Sequence, residues 1–149
     1  MIDSAEALPW KLRKRVLPQH TDHAGVMWHG AYINWLEEAR IDALDQVGLP
    51  YSELSADGYE MPVVSIEIKY LRSLKHGEEV VLESICMPPQ GVRWQWRTTF
   101  LRNGRELVAE ARVQLVLIMN SIEGHRLLRK VPPRLEKALF ELQLGQDND

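Results

Sequence analysis

The stretch Thr21-Asp22-His23-Ala24-Gly25-Val26-Met27-Trp28-His29 stands directly before the most regular segment of the chain. From His29 to Val47, the apolar residues Tyr32, Trp35, Leu36, Ala39, Ala43 and Val47 recur three and four apart. Glu37, Glu38, Arg40, Asp42 and Asp45 fill the other faces. That period predicts one long helix with a single apolar stripe. Gly48 and Pro50 stop it. At 1.5 Å per residue it is about 28 Å long. Residues 51–56 allow a further short turn of helix. Upstream, residues 19–28 hold Asp22 and Gly25 without a sustained period, and read as a loop.

Outward from this centre the pattern is β. Residues 10–17 carry four basic side chains between apolar ones and read as an exposed or edge strand that Pro18 ends. Val64, Ile66, Ile68 and Tyr70 alternate with Ser65, Glu67 and Lys69. Residues 79–87 form a second run, closed by Pro88-Pro89. A third puts Val92, Trp94, Trp96, Thr98 and Phe100 on one face, with Arg93, Gln95, Arg97 and Thr99 on the other. Asn103-Gly104 is the clearest hairpin turn, because both residues tolerate positive φ. A long strand over 106–119 follows, then a short extended piece over 126–131. Pro132-Pro133 opens a final helix to Leu144. One strand, one striped helix, a run of antiparallel strands and a C-terminal helix make an α+β domain. One helix covers one sheet face only, so a homo-oligomer is expected.

The 149 residues suit a single domain, 1–149, with a frayed polar tail from Gly145. An apolar fraction of 45% and a charged fraction of 26% are those of a globular protein. The net charge of −3 carries no basic field for nucleic acid, yet leaves room for a local phosphate site. One cysteine, Cys86, excludes a disulfide framework and reads as a buried apolar residue. No apolar run approaches a membrane span, and residues 1–7 show no signal pattern. The expected compartment is the cytoplasm.

The loop before the long helix has a chemistry of its own. A helix N-terminus presents unpaired N–H groups and a partial positive charge. A carbonyl placed there is polarised, and an oxyanion is stabilised. Asp22 reaches the same region, and Gly25 permits a tight turn or a close approach. Carboxylate plus helix-terminal donors is an acyl-transfer arrangement. On spacing alone, a carboxylate that merely holds the loop together is the better reading. His20, Asp22 and His23 lack the further ligand pair of a metal site. No GxSxG, P-loop or GxGxxG motif is present.

Thr21-Asp22-His23-Ala24-Gly25-Val26, then His29, Tyr32 and Glu37-Glu38-Ala39-Arg40, resembles the signature of the 4-hydroxybenzoyl-CoA thioesterase family. It is especially similar to the short acyl-CoA thioesterases associated with the Tol–Pal system. The resemblance implies a hot-dog fold, an antiparallel sheet wrapped around one long central helix. It implies hydrolysis of an aryl or short-chain acyl-CoA without metal or organic cofactor. It implies dimers or dimers of dimers (homotetramers), with the active site at a subunit interface. Asp22 falls at the catalytic position, as nucleophile or as general base, a role that burial by Trp28 or Tyr32 would favour. The oxyanion donor falls on the backbone N–H at His29. The His29 side chain either contacts the substrate or sits in the helix's first turn. Gly25, Trp28, Gly30, Tyr32, Val64 and Ser65 fall around the substrate. Glu37 is a second carboxylate or a support that bonds the Asp22 loop or Arg40. Lys69 and Arg93 are expected at the CoA phosphates, with Arg72, Arg126, Arg129 and Lys130 as further cations. The pair Met27-Trp28 departs from most relatives and re-lines the acyl pocket. Two other readings stand beside this one: a protein that binds an acyl thioester without cleaving it, and a thioesterase for acyl-carrier protein.

Overall fold

The computed structural model describes residues 8–146. The order is β1 (Trp10–Arg15), a 3-10 turn (Pro18–His20), α1 (His29–Gln46), α2 (Tyr51–Ala56), β2 (Tyr59–Glu60) and β3 (Val63–Tyr70). There follow β4 (Glu79–Cys86), β5 (Arg93–Arg102), β6 (Glu106–Val116), β7 (Ile118–Ser121), β8 (Gly124–Leu127) and α3 (Pro133–Leu144). The main sheet is antiparallel, in the order β1-β4-β5-β6-β3, and a small sheet β2-β7-β8 lies beside it. This is the α+β hot-dog architecture, with α1 against the inner face of the sheet.

The two periods meet in one core. The α1 stripe buries Ala31, Tyr32, Trp35, Leu36, Ala39, Ala43 and Leu44. Opposite it, Trp94, Trp96, Thr98 and Phe100 of β5 are buried, with Ala109, Ala111, Val113 and Leu115 of β6. The Tyr32 ring packs 5.2 Å from Phe100 and edge-on, at 4.9 Å, to Tyr70 at the end of β3. Two polar residues in this face, Ser84 and Thr98, satisfy each other through a buried hydroxyl pair 2.8 Å apart. Asn103 and Gly104 both take positive φ, 54° and 74°, in the β5–β6 hairpin.

Three expectations change. The strand over 106–119 is broken at Leu117 into β6 and β7, whose partners differ: β3 and β5 hold β6, and β2 and β8 hold β7. The extended piece over 126–131 is instead β8, Gly124–Leu127. Gly145 and Gln146 are not frayed. The Gln146 amide donates to the Leu8 carbonyl at 3.0 Å, and the Lys11 amide donates to Gln146 Oε1 at 2.8 Å. Residues 1–7 and 147–149, with the readings made on them, lie outside the described residues.

The sheet's edges differ. At β1, the side chains on the outer face are Lys11, Arg13 and Arg15, and the Gly145–Gln146 segment lies along the strand. At β3, seven of eight residues are exposed, among them Val63, Val64, Ile66 and Tyr70. Its second side has no strand partner among the described residues.

Candidate active site

Residues 21–27 form a tight turn-back closed by a bridge between Thr21 and Met27. The Asp22 amide donates to the Val26 carbonyl at 2.9 Å, and the Gly25 amide to the Asp22 carbonyl at 2.9 Å. Gly25 has φ +77°, so a residue with a side chain is strained there. The Asp22 carboxylate takes part through one oxygen. Oδ1 accepts from the amides of Ala24 at 2.9 Å and Val26 at 3.2 Å. No hydrogen bond to Oδ2 is present among the described residues.

A second segment clamps this turn. The Met27 amide donates to the Leu74 carbonyl at 2.7 Å, and Val26 bridges Lys75. Leu74 is fully buried. Arg102 holds the same segment: its Nη2 donates to the Ser73 carbonyl at 2.9 Å and its Nε lies 2.9 Å from Glu78 Oε2. Sequence reasoning missed this clamp, because Leu74 and Arg102 are distant in the chain and carry no motif.

The turn delivers the chain to α1. The Trp28 amide is used, donating to the His20 carbonyl at 3.1 Å, and Ala31 donates to the Trp28 carbonyl at 3.0 Å. Among the described residues the amides of His29 and Gly30 donate to no acceptor, and no side chain caps the helix. These are the unpaired first-turn donors that a polarised carbonyl needs. The Trp28 ring lies over Gly30: a Cβ there would be 2.2 Å from it. It also meets the His29 ring edge-on at 5.3 Å.

The structure thus brings Asp22, Gly25, Trp28, His29 and Gly30 into one turn-and-helix start. Tyr32 is buried in the core instead of lining an open site, since its period position points to the sheet. Burial pushes its phenol up to about 12, with Tyr70 adding to the effect. The expected burial of Asp22 by Trp28 or Tyr32 is not provided within the chain, because Asp22 is exposed. Val64 sits at a bulge of β3, 48% exposed. Ser65, Lys69 and Arg93 fall on the outer face of the sheet, away from α1, because strand alternation alternates sides. There Arg93 Nη1 donates to Gln114 Oε1 at 2.9 Å, and Lys69 lies across from Glu110.

Glu37 borders a cavity of about 260 Å3 that it shares with Arg40, Tyr51, Met61, Val63 and Trp96. It makes no ion pair with Arg40 and no bond to the Asp22 loop among the described residues. A larger cleft, about 900 Å3, opens where the β7–β8 hairpin meets α3, and Arg126, Arg129 and Lys130 line it. Among the described residues no group of three or more His, Cys, Asp or Glu side chains comes together to hold a metal.

Comparison with known proteins agrees with this architecture. Residues 16–139 match the family described as the thioesterase-like superfamily. A Synechocystis protein provisionally named an esterase is 33% identical over 136 residues, 90% of this chain and 80% of its own. A Bacillus subtilis protein provisionally named an acyl-CoA thioesterase is 34% identical over 64 residues, 43% of this chain and 46% of its own. A crystal structure of a 4-hydroxybenzoyl-CoA thioesterase complexed with 4-hydroxybenzoyl-CoA superposes with a TM-score of 0.77 at 22% identity. That match covers 89% of this chain and 99% of the other.

Proposed function

The chain belongs to the thioesterase-like superfamily, and from that premise we propose that it hydrolyses an acyl-CoA thioester, with Asp22 as the acting carboxylate. One observation carries the reading. Asp22 is pinned through Oδ1, keeps Oδ2 free, and stands on the turn that leads into the unpaired amides of His29 and Gly30.

The thioester oxygen accepts from the His29 and Gly30 amides, which strengthens as the oxygen gains charge. Oδ2 then attacks the carbonyl carbon, the C–S bond breaks, and CoA leaves as thiolate. Water hydrolyses the resulting anhydride, releasing the acid and restoring Asp22. In the alternative route Asp22 takes a proton from water, which attacks in its place. Single turnover in 18O water separates the two: label in the Asp22 carboxyl marks the anhydride. Neither route calls on a metal or an organic cofactor. The CoA phosphates are assigned to the cleft of Arg126, Arg129 and Lys130, where three cations converge. Lys69 and Arg93, on the outer face, are second choices.

We further propose that two copies pair antiparallel along β3. A long apolar edge with open backbone groups demands a cover, and a two-fold axis supplies one. In that arrangement the start of one β3 lies beside the end of the other. The cavity at Val63 of one protomer then faces the Leu74–Lys75 clamp and the Asp22 turn of its mate. The site at a subunit interface and the assembly as dimer or dimer of dimers follow from this reading. A cytoplasmic location fits the substrate, and no described helix is long and apolar enough to cross a membrane. The finer likeness to Tol–Pal-associated thioesterases belongs to the same proposal.

The test is release of free thiol from a panel of aryl and short-chain acyl-CoAs. Asp22→Asn keeps an Oδ1 acceptor for the Ala24 and Val26 amides, so the turn survives while the charge is lost. A fall in kcat of about 10²- to 10⁴-fold with an unchanged melting temperature is expected. Full activity in that variant removes Asp22 from the mechanism. Tight binding of acyl-CoA with no thiol release favours the non-catalytic reading. Turnover only with acyl-carrier protein moves the activity to that carrier.

A further inference from the structure

Among the described residues Arg40 makes no ion pair, although Glu37 lies near it on the same helix. It stands on α1 one turn beyond Glu37, is half-buried, and borders the 260 Å3 cavity with Glu37 and Tyr51. Among the described residues no carboxylate lies within ion-pair distance of it, and it makes no side-chain hydrogen bond. Burial pulls its guanidinium below the ordinary value, and nearby Glu37 and Tyr51 oppose that shift. The group nonetheless stays protonated, so its five donors cannot be silenced. Its nitrogens are not sealed off, since none is among the buried, unpartnered atoms of the described residues, so an acceptor entering the cavity replaces water there. The other walls are apolar, including Ile41, Met61, Val63, Trp96 and Leu142. A water occupies about 30 Å3 in the liquid, so the space suits a ring-sized group and not a nucleotide.

We propose that this cavity receives the end of the acyl group remote from the thioester, and that Arg40 selects acyl groups carrying an oxygen acceptor there. A carboxylate or a hydroxyl answers the guanidinium, and Glu37 accepts from a hydroxyl as well. The proposal rests on the thioesterase reading and on the β3 pairing. Arg40 lies eleven residues past His29, about 16 Å along α1, out of reach of a small acyl group held at the same helix start. The mate's cavity, set against the Asp22 turn, is the one in reach.

Matched CoA thioesters read this directly: adipoyl against hexanoyl, and hydroxyphenylacetyl against phenylacetyl. The wild-type protein is expected to favour the oxygen-bearing member by about 10- to 100-fold in kcat/KM. Arg40→Met is expected to lose most of that factor, with the larger fall on the oxygen-bearing member, and Arg40→Lys to regain part of it. The carboxylate and hydroxyl arms tell which oxygen is preferred. Equal rates on both members in the wild type overturn the proposal. So does an equal loss on both in Arg40→Met, or dissociation of that variant into monomers, which would assign Arg40 to an acid of the second copy. Mixing Asp22→Asn with Arg40→Met chains tests the cross-subunit placement. Random exchange should restore about a quarter of the wild-type rate on adipoyl-CoA, because about half the dimers are mixed and each holds one intact site. No gain on mixing overturns the shared site. If no thioester is cleaved at all, the thioesterase reading fails instead. Calorimetric binding of free adipate against hexanoate, to wild type and Arg40→Met, then still reads the cavity.

Discussion

A methyl group at Gly30 would stand 2.2 Å from the Trp28 ring, although the backbone there is ordinary helix. Alanine gains about 1 kcal/mol over glycine inside a helix, so Gly30→Ala should leave the melting temperature nearly level while driving the indole off the helix start. The expected result is a raised KM with a shifted Trp28 emission, the latter identified by its loss in Trp28→Phe. An unmoved KM would take Trp28 out of the substrate path. Two buried groups give a pH signature. Burial holds the Tyr32 phenol up to about 12 and pushes the Cys86 thiol up as well. The unfolded chain sheds the Tyr32 proton near 10, the folded one later. The unfolded chain sheds the Cys86 proton earlier still, near 9, so the folded state holds more protons from there on; stability is full below about pH 9 and falls as pH rises toward 12. Melting temperatures across that range check the sign, and a rise would contradict it. At this scale Asp22 and the helix start were legible, because turn and helix are neighbours in the chain. Arg93 lies on the outer face, as its alternation with the buried Trp94 already indicated, and it ranks behind the cations of the larger cleft as a phosphate ligand. Arg40 was legible only as a partner for Glu37. Its cavity depends on the approach of α2 and β3, which no local pattern records.

The elements with clean periods were readable end to end: α1 from its three-and-four spacing, β5 from strict alternation, the hairpin from Asn103-Gly104. The break at Leu117 was not, since an unbroken apolar run does not report a change of strand partner. Nor was the closure at Gly145. It takes φ +94°, and a Cβ there would lie 1.9 Å from the Leu8 carbonyl oxygen. Gly145→Ala therefore has to open the bridge that lays this segment along β1. Backbone strain of this kind costs about 1–3 kcal/mol. In a chain of this size that is a fall in melting temperature of roughly 2–12 °C. No fall would mean that the segment contributes nothing to the edge it covers.

For the whole molecule the decisive contrast is between the two edges of one sheet. β1 is charged and tied at its start to Gly145 and Gln146, whereas β3 leaves Val63, Val64, Ile66 and Tyr70 exposed. We place the homo-oligomer expected from a one-sided helix along β3, as a proposal. Val64→Lys places a charge in the proposed seam without touching the buried core. Light scattering should report a shift to the mass of a single chain, with thioesterase activity falling as the shared site is lost. A variant that stays assembled would send the seam elsewhere. The bridge from Leu8 to Gly145 has a consequence of another kind. It sets the two ends of the described chain side by side, so a short peptide joining them would make a closed ring. Fresh ends cut at the exposed Asn103-Gly104 turn would then yield a circular permutant in which β6 becomes the first strand of the gene product and β5, its neighbour in the sheet, the last.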